Sequence, residues 1–297
     1  MSETRPPGLG EFRLLVSGPE HPGLSAAVSG ALAEQGADVV RFDQLTPAAP
    51  APADHAGPTS YLRAAFRVEE PGTGVPLVEQ ALHELLDGKG MTWTISDASA
   101  PKRMIILASR SDHCLLELLW RHRRGELAAE IPLVISNHRD VQAGVEFFGI
   151  PFVHVPSGGE DKSASEAEIL ELVRGRADLV VLARYMQVLS EDFLRAIGAP
   201  VINIHHSFLP AFVGAGPYRK AWERGVKLIG ATAHYVTPEL DAGPIIEQDV
   251  ARVDHTYGPK DLQKRGAYVE RAVLSRAVQA HLEDRVVSRD GRTVVFE

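Results

Sequence analysis

From about Lys102 onwards, short apolar runs alternate with longer segments that have helical periodicity. Residues 104–108 and 179–183 contain no polar side chain. Such continuous apolar runs are typical of strands that are buried on both faces of a parallel sheet. Strands that alternate with helices in this way predict a doubly wound, Rossmann-like α/β domain, which we place at residues 102–297.

A different order of elements precedes this domain. Residues 11–98 read as strand, helix, strand, strand, helix and strand, and Gly36 provides the stop signal of the first helix. That order predicts a small ferredoxin-like domain. Residues 1–10 include two prolines and no extended apolar segment, which predicts a short flexible tail.

Charge and composition exclude several classes of partner. The chain has 297 residues and a formal charge of −8, and a broad nucleic-acid surface would instead require a basic face. No apolar run approaches the roughly 20 residues that span a bilayer, so no membrane partner is expected. Cys114 is the only cysteine, which excludes an intrachain disulfide and is compatible with a cytoplasmic location.

Polar residues lie at the ends of two predicted strands. Asn203 and His205 are two positions apart in the predicted strand 201–205, so their side chains share one face. Asp241 follows the predicted strand 229–236 in a turn. An amide that donates to a carbonyl oxygen, an imidazole that moves a proton and a carboxylate that orients the imidazole suit acyl-group chemistry. Each residue taken alone favours a structural role, whereas the three in this order favour a catalytic site at the strand ends.

Four motifs in this part of the chain are long and occur in order, at residues 202–212, 230–236, 240–246 and 253–257. Together they resemble the formyltetrahydrofolate-utilising hydrolases and transferases. The doubled His205–His206 and the segment 245–250 resemble the formyltetrahydrofolate deformylase family rather than the glycinamide ribonucleotide transformylases. The resemblance covers nearly the whole chain, more loosely before Lys102.

The resemblance implies hydrolysis of 10-formyltetrahydrofolate to tetrahydrofolate and formate, a reaction of one-carbon metabolism with a link to purine biosynthesis. It implies that Asn203 holds the formyl oxygen, that His205 assists proton transfer, and that Asp241 orients His205 or positions the water. The folate is then a substrate, and no cofactor is expected. Two alternatives stay open, namely an N-formyltransferase that passes the formyl group to a small amine, and an amino-acid-responsive regulator with weak catalysis.

A folate-binding region is also implied by the resemblance, with backbone groups of residues 184–189 and 236–240 receiving the pterin. The residues expected there are Arg184, Met186, Val188, Leu189, His206, Val236 and Leu240. No metal site is expected, because the chain has neither a cysteine cluster nor a His-Glu-x-x-His motif. In addition, His206 points away from His205 if the strand continues.

The acceptor of the formyl group is addressed by residues 109–114, which lie where the transformylases that the chain resembles carry a Gly-rich phosphate loop. Here the segment reads Ser-Arg-Ser-Asp-His-Cys, and the carboxylate of Asp112 would repel a phosphate. Water is therefore favoured over a phosphorylated amine, although Asp112 as a helix N-cap is equally compatible. Gly216 replaces the polar or charged side chain that the family tends to carry before Pro-Tyr, which keeps a changed acceptor open.

The N-terminal turn at residues 18–23, followed by a helix and Gly36, resembles an ACT domain. The resemblance implies an amino-acid effector bound between paired copies, and hence a homo-oligomer. A purely structural or dimerising ACT-like domain is the alternative. The turn reads Gly-Pro-Glu-His-Pro-Gly where the family often has Cys-Pro-Asp-Arg-Pro-Gly, which weakens the effector prediction.

Overall fold

The computed structural model describes residues 9–47, 58–157, 162–211 and 216–297. Its helices and strands, in chain order, are β1 (Leu9–Pro19), α1 (Leu24–Glu34), β2 (Asp38–Leu45), β3 (Thr59–Glu69), α2 (Pro71–Leu86), β4 (Thr92–Asp97), β5 (Lys102–Ala108), α3 (His113–Arg123), β6 (Ala129–Glu130), β7 (Val134–Ser136), α4 (Gln142–Phe147), β8 (Phe152–His154), α5 (Ser163–Val173), β9 (Leu179–Ala183), α6 (Glu191–Ala196), β10 (Val201–His205), α7 (Pro217–Arg224), β11 (Leu228–Tyr235), β12 (Ile245–Arg252), α8 (Pro259–Leu282), β13 (Val286–Arg289) and β14 (Arg292–Val295). None of the helices in these ranges combines the length and the apolar character that crossing a membrane requires.

Backbone contacts divide the chain into two compact units. One unit holds the described residues up to Ala100 together with Glu283–Glu297, and the other holds Pro101–Leu282. The sequence prediction placed the whole of residues 102–297 in one domain. The C-terminal 15 residues differ from that prediction, because they pack with the first unit.

The first unit is a four-stranded antiparallel sheet in the order β2-β3-β1-β4, with two helices. This strand order and the element sequence confirm the ferredoxin-like prediction. Its core forms where apolar side chains of the strands, such as Leu14 and Phe66, meet Val28 and Leu82 of the helices. Because β1 begins at Leu9, the predicted tail over residues 1–10 extends two residues too far, and residues 1–8 lie outside the described residues.

The C-terminal hairpin explains why residues 283–297 belong to this unit. Val287 and Phe296 are buried in a small apolar cluster with Tyr61 of β3. The buried guanidinium of Arg63 donates to the carbonyl oxygens of Glu283 (3.0 Å) and Asp284 (2.9 Å). These long-range contacts join segments about 220 residues apart, so local sequence patterns could not reveal them.

The second unit contains a sheet with strand order β12-β11-β10-β9-β5-β7-β8, and β6 pairs with β5. Strands β8, β7, β5, β9 and β10 run parallel, which confirms the doubly wound prediction. Strands β11 and β12 add to this sheet in antiparallel fashion. The sequence patterns predicted neither β12 nor the short helices α6 and α7.

The order of the strands locates the ligand-binding edge of this sheet. The chain passes from β5 outward to β7 and β8, and then returns to β9 on the other side of β5. The sheet therefore has its topological switch point between β5 and β9. Open α/β sheets bind ligands in the crevice at the carboxyl ends of the strands next to such a point.

Candidate active site

One cavity in the second unit, with a volume of about 260 Å³, contains every residue that the sequence predicted for the site. It lies at the carboxyl ends of β9 and β10 and under the loop that follows β11. The predicted residues that line it are Arg184, Met186, Val188, Leu189, Asn203, His205, His206, Val236, Leu240 and Asp241. Gly216 does not line this cavity. It is the N-cap residue before helix α7 and has a left-handed conformation, with φ of 66°.

Asn203 and His205 occupy alternate positions of β10 and therefore face the same side of the sheet. His205 is the last residue of the strand, and its side chain is only 7% exposed. Its Nδ1 lies 3.3 Å from Oδ2 of Asp241. The predicted imidazole–carboxylate pair is thus present, and it is buried.

Asp241 reaches this pair by a route that the sequence did not indicate. Because β11 runs antiparallel to β10, its carboxyl end lies beside the start of β10, with Tyr235 opposite Ile202. The following loop returns over the cavity and carries Asp241 to His205. Gly243 allows the loop to pack closely, because a Cβ there would overlap the carbonyl oxygen of Tyr235. Asp241 itself adopts a left-handed conformation with φ of 55°.

His234 is a further member of the site, and the sequence analysis assigned it no role there. It lies directly opposite Asn203 in the β10–β11 pairing. Nδ1 of His234 lies 2.9 Å from the carbonyl oxygen of Tyr235, so Nδ1 carries the proton and Nε2 is an acceptor. The amide Nδ2 of Asn203 donates to that Nε2 at 3.3 Å. This hydrogen bond uses one of the two hydrogens on Nδ2 of Asn203 and leaves the other for a second acceptor, and only the strand register reveals the contact.

The electrostatics of the site keep His205 neutral. Burial lowers the pKa of His205 below its usual value, and the charge of Asp241 opposes this shift only partly. With a proton on Nδ1 directed at Asp241, Nε2 presents a lone pair. That Nε2 is buried and has no hydrogen-bond partner among the described residues. A neutral imidazole with an oriented, unpartnered nitrogen is suited to act as a general base.

The segment after β9 forms one wall of the cavity. Arg184 and Met186 adopt left-handed conformations, with φ of 62° and 60°, which is unusual for such side chains and clusters at functional sites. Met186 and Val188 are more than half exposed, as is Leu240 across the mouth. These side chains offer apolar surface to a flat ring, whereas Leu189 is buried in the core.

His206 lines the cavity together with the other residues expected in the folate-binding region. Strand β10 ends at His205, so the alternation along the strand stops there and both rings line the same cavity, with centroids 5.3 Å apart. The expectation that His206 points away from His205 applied to a strand that continues past His205, and this strand does not. Burial and the nearby charge of Arg184 lower the pKa of His206 to about 3, so its imidazole is neutral.

A second polar cluster lies beside the cavity and centres on Glu270 of α8, whose side chain is 2% exposed. His113 donates from Nε2 to Oε2 of Glu270 at 2.8 Å, and the hydroxyl of Tyr218 donates to Oε1. Arg184 Nε lies 3.4 Å from Oε2. Burial opposes ionisation of Glu270, but the hydrogen bond from His113 and the charge of Arg184 prevail and lower its pKa to about 2.

This cluster includes the potential metal-ligand group His113, Cys114 and Glu270. Both oxygens of Glu270 already accept hydrogen bonds, and the guanidinium of Arg184 places a positive charge beside them. A cation is therefore disfavoured here. Burial raises the pKa of the Cys114 thiol well above its usual value, so Cys114 is a core residue rather than a nucleophile.

Comparison with known proteins places this site in context. The family model described as formyl transferase matches residues 102–278. Formyltetrahydrofolate deformylases from Mycobacterium tuberculosis and Bacillus subtilis are 52% and 46% identical over 285 residues, which is 96% of this chain and 90% and 93% of theirs. The crystal structure of a formyltetrahydrofolate deformylase from Pseudomonas syringae matches with a TM-score of 0.90 and 43% identity, over 98% of this chain and 96% of that chain.

Proposed function

This chain belongs to the formyl transferase family, and we propose that it acts as a formyltetrahydrofolate deformylase. It hydrolyses 10-formyltetrahydrofolate to tetrahydrofolate and formate. The alternatives of an amine N-formyltransferase and a weakly catalytic regulator are not favoured, because relatives that align over nearly the whole chain are named deformylases.

The observation that carries this function is the convergence of Asn203, His205 and Asp241 on one buried cavity. A formamide is a poor electrophile, so hydrolysis requires a stabilised oxyanion, an activated water and a proton for the departing nitrogen. Asn203 supplies the amide donor, His205 supplies a neutral imidazole, and Asp241 orients that imidazole.

This geometry supports the following roles. The oxygen of water attacks the formyl carbon while Nε2 of His205 accepts its proton, and the side-chain amide of Asn203 donates to the oxygen that becomes negative. Asp241 stabilises the imidazolium that forms. The bond from the formyl carbon to N10 then breaks, His205 returns the proton to N10, and formate and tetrahydrofolate are released.

The folate is placed by the walls of the cavity. A pterin edge alternates donors and acceptors, which suits backbone groups of residues 184–189 and 236–240. Met186, Val188 and Leu240 provide apolar contact at the mouth. The folate is a substrate, and no separate cofactor or metal is assigned a step, since side chains of the chain supply the base, the donor and the carboxylate. Activity that persists after treatment with a chelator would support this assignment, and activity that requires an added metal would contradict it.

The test of the function is the release of both products from 10-formyltetrahydrofolate in plain buffer. We expect formate and tetrahydrofolate in equal amounts, and Asp241→Ala to lose most of the turnover while thermal unfolding stays close to wild type. Folate binding without release, followed by release when an amine is added, would instead establish a transferase. Binding of an amino acid without any turnover would establish the regulator.

The first unit supports finer proposals about regulation and assembly. We infer an amino-acid effector and a homo-oligomer assembled through this unit, in a cytoplasmic enzyme. The ferredoxin-like strand order β2-β3-β1-β4, together with the ACT-like turn and helix in the sequence, supports this inference. Sedimentation at micromolar concentration checks the assembly, and a monomer would contradict it. A panel of amino acids in the activity assay checks the effector.

A further inference from the structure

Four side chains of the protein meet beside the switch point of the second sheet. Three of them belong to helices, namely His113 as the first residue of α3, Tyr218 in α7 and Glu270 in α8. The fourth, Arg184, directly follows β9. The general rule for open α/β sheets places a ligand in the crevice at this point. Here the hydrogen bonds and the ion pair to Glu270 hold the four side chains together, and we call them the Glu270 cluster.

The cluster separates two concave surfaces. Arg184 lines the cavity that contains His205, whereas His113 lines a groove of about 550 Å³ on the other side, and both contact Glu270. Tyr218 continues this wall toward His206, with ring centroids 5.9 Å apart.

Tyr218 packs closely against helix α8. Tyr218 lies against Gly266, one turn before Glu270 on α8, and a Cβ at Gly266 would overlap its phenol group. Both oxygens of Glu270 accept hydrogen bonds from side chains of the cluster, and Glu270 is not among the residues that line the cavity containing His205.

A negative charge in the loop from β5 to α3 also disfavours a phosphorylated second substrate. A helix N-terminus is a natural binding site for a phosphate, because its backbone N–H groups point outward. Asp112 places a carboxylate at the N-cap of α3, directly before His113. A phosphorylated ligand at this helix end would meet a like charge.

We propose that the Glu270 cluster occupies the place of a second substrate and is the structural reason why water, rather than an amine, accepts the formyl group. This proposal rests on the proposed hydrolase function. The cavity admits water to the formyl carbon beside His205, while the cluster denies space to an amine that would approach from the crevice. Arg184, Tyr218 and Glu270 are thus specificity-determining residues, and the bond-breaking steps remain with Asn203, His205 and Asp241.

The test opens the cluster and offers a neutral amine, glycinamide, at millimolar concentration together with 10-formyltetrahydrofolate. In the transfer reaction, the glycinamide nitrogen attacks the formyl carbon and loses one proton, and the bond to N10 breaks as N10 gains a proton. The readout is the ratio of formylglycinamide to formate. Because both products come from one active site, a lower total rate does not alter this ratio.

Two changes open the cluster in different ways. Arg184→Ala combined with Glu270→Ala removes both charges together, which avoids leaving an unpaired buried charge. Tyr218→Ala removes volume, and its matched control Tyr218→Phe keeps the ring while losing only the hydroxyl. We expect the product ratio to rise on the order of tenfold or more in the two opening variants, which is the scale of discrimination by pocket volume, and to stay near wild type in Tyr218→Phe.

A surface control completes the set. Arg276 of α8 pairs with Asp249 of β12 at 2.9 Å, and both side chains are 45% exposed, so the double change to alanine removes an ion pair outside the crevice. Folding is checked by circular dichroism and thermal unfolding. If the buried double variant does not fold, His113→Ala replaces it as an opening variant, because that side chain is 22% exposed. The same rise in the ratio of formylglycinamide to formate is then expected.

The outcomes separate the two proposals. Wild type that releases no formate contradicts the hydrolase function itself. Wild type that hydrolyses the folate but also formylates glycinamide overturns the role of the cluster, as do folded opening variants that still produce formate alone. A raised ratio in the opening variants, with both controls unchanged, establishes it.

Discussion

Asp241 and Glu270 are both buried carboxylates of the second unit, and both lie beside a histidine, but their surroundings differ. Asp241 lies 3.3 Å from Nδ1 of His205, and the far nitrogen of that ring, Nε2, has no partner among the residues that the structure describes. Glu270 instead has hydrogen-bond donors on both oxygens and a guanidinium beside it. The network around His205 is oriented but incomplete, and its free ring nitrogen is available for chemistry. The network around Glu270 is saturated at the carboxylate, although Nε and Nη1 of Arg184 have no hydrogen-bond partner among the described residues, and it holds structure in place.

The largest expected effect comes from removing His205, the general base of the incomplete network. His205→Ala should lower kcat by about 10²-fold or more, because it removes the unpartnered nitrogen beside Asp241. The other imidazole near Asp241, that of His234 at 3.8 Å, accepts from Asn203 through its Nε2. Steady-state kinetics with the folate substrate checks this, and thermal unfolding near that of wild type is the control. A kcat within a few-fold of wild type would remove His205 from the mechanism.

Breaking the saturated network should cost stability. Glu270→Gln leaves the Arg184 guanidinium buried without its counter-charge, and removing one partner of such a pair typically costs about 3–5 kcal/mol. Chemical denaturation measures the change. Replacement of Arg184 and Glu270 together by methionine should recover most of the loss, and a single variant as stable as wild type would show that the pair is not needed.

The loss of stability at acidic pH provides a second measure of what the Glu270 carboxylate contributes to the free energy of unfolding. The folded pKa of Glu270 is about 2, below its ordinary value of 4.5. Its contribution to stability is therefore fully present above pH 4.5 and is lost as the pH falls toward 2. Glu270→Gln should lose less stability than wild type over that interval.

The incomplete network should reveal itself in the pH profile of kcat/KM. A neutral His205 acts as the base, and burial lowers its pKa while the charge of Asp241 raises it in part. Asp241→Asn removes the raising contribution, so the acid limb of its residual activity should move to lower pH. A limb that moves to higher pH would contradict His205 as the base that titrates.

The smallest effect concerns how the saturated network is packed. Gly266→Ala forces Tyr218 to move, and overpacking of this kind typically costs about 1–3 kcal/mol. Combining it with Tyr218→Ala should recover much of that loss, because the overlapping ring is then absent. Additive effects in this double-mutant cycle would show that the two positions do not contact each other.

The residues of the incomplete network were predictable because they lie in or near single strands with clear local patterns. Asn203 and His205 share a face through simple alternation, and β10 has the predicted bounds. The direction of the His206 side chain could not be predicted from alternation, because the strand ends at His205. The role of His234 was missed, because it depends on the register between β10 and β11.

The sequence by itself determined the two kinds of sheet, because periodicity records which faces of each element are buried. Strand alternation and the resemblance of the surrounding motifs singled out the three side chains that we propose react. Only the tertiary structure decided how the loop after β11 returns Asp241 to His205, that His113 and Glu270 meet across 157 residues, and that the C-terminal hairpin packs with the first unit. These contacts depend on the order and direction of strands and on side chains distant in sequence, and local patterns carry no information about either.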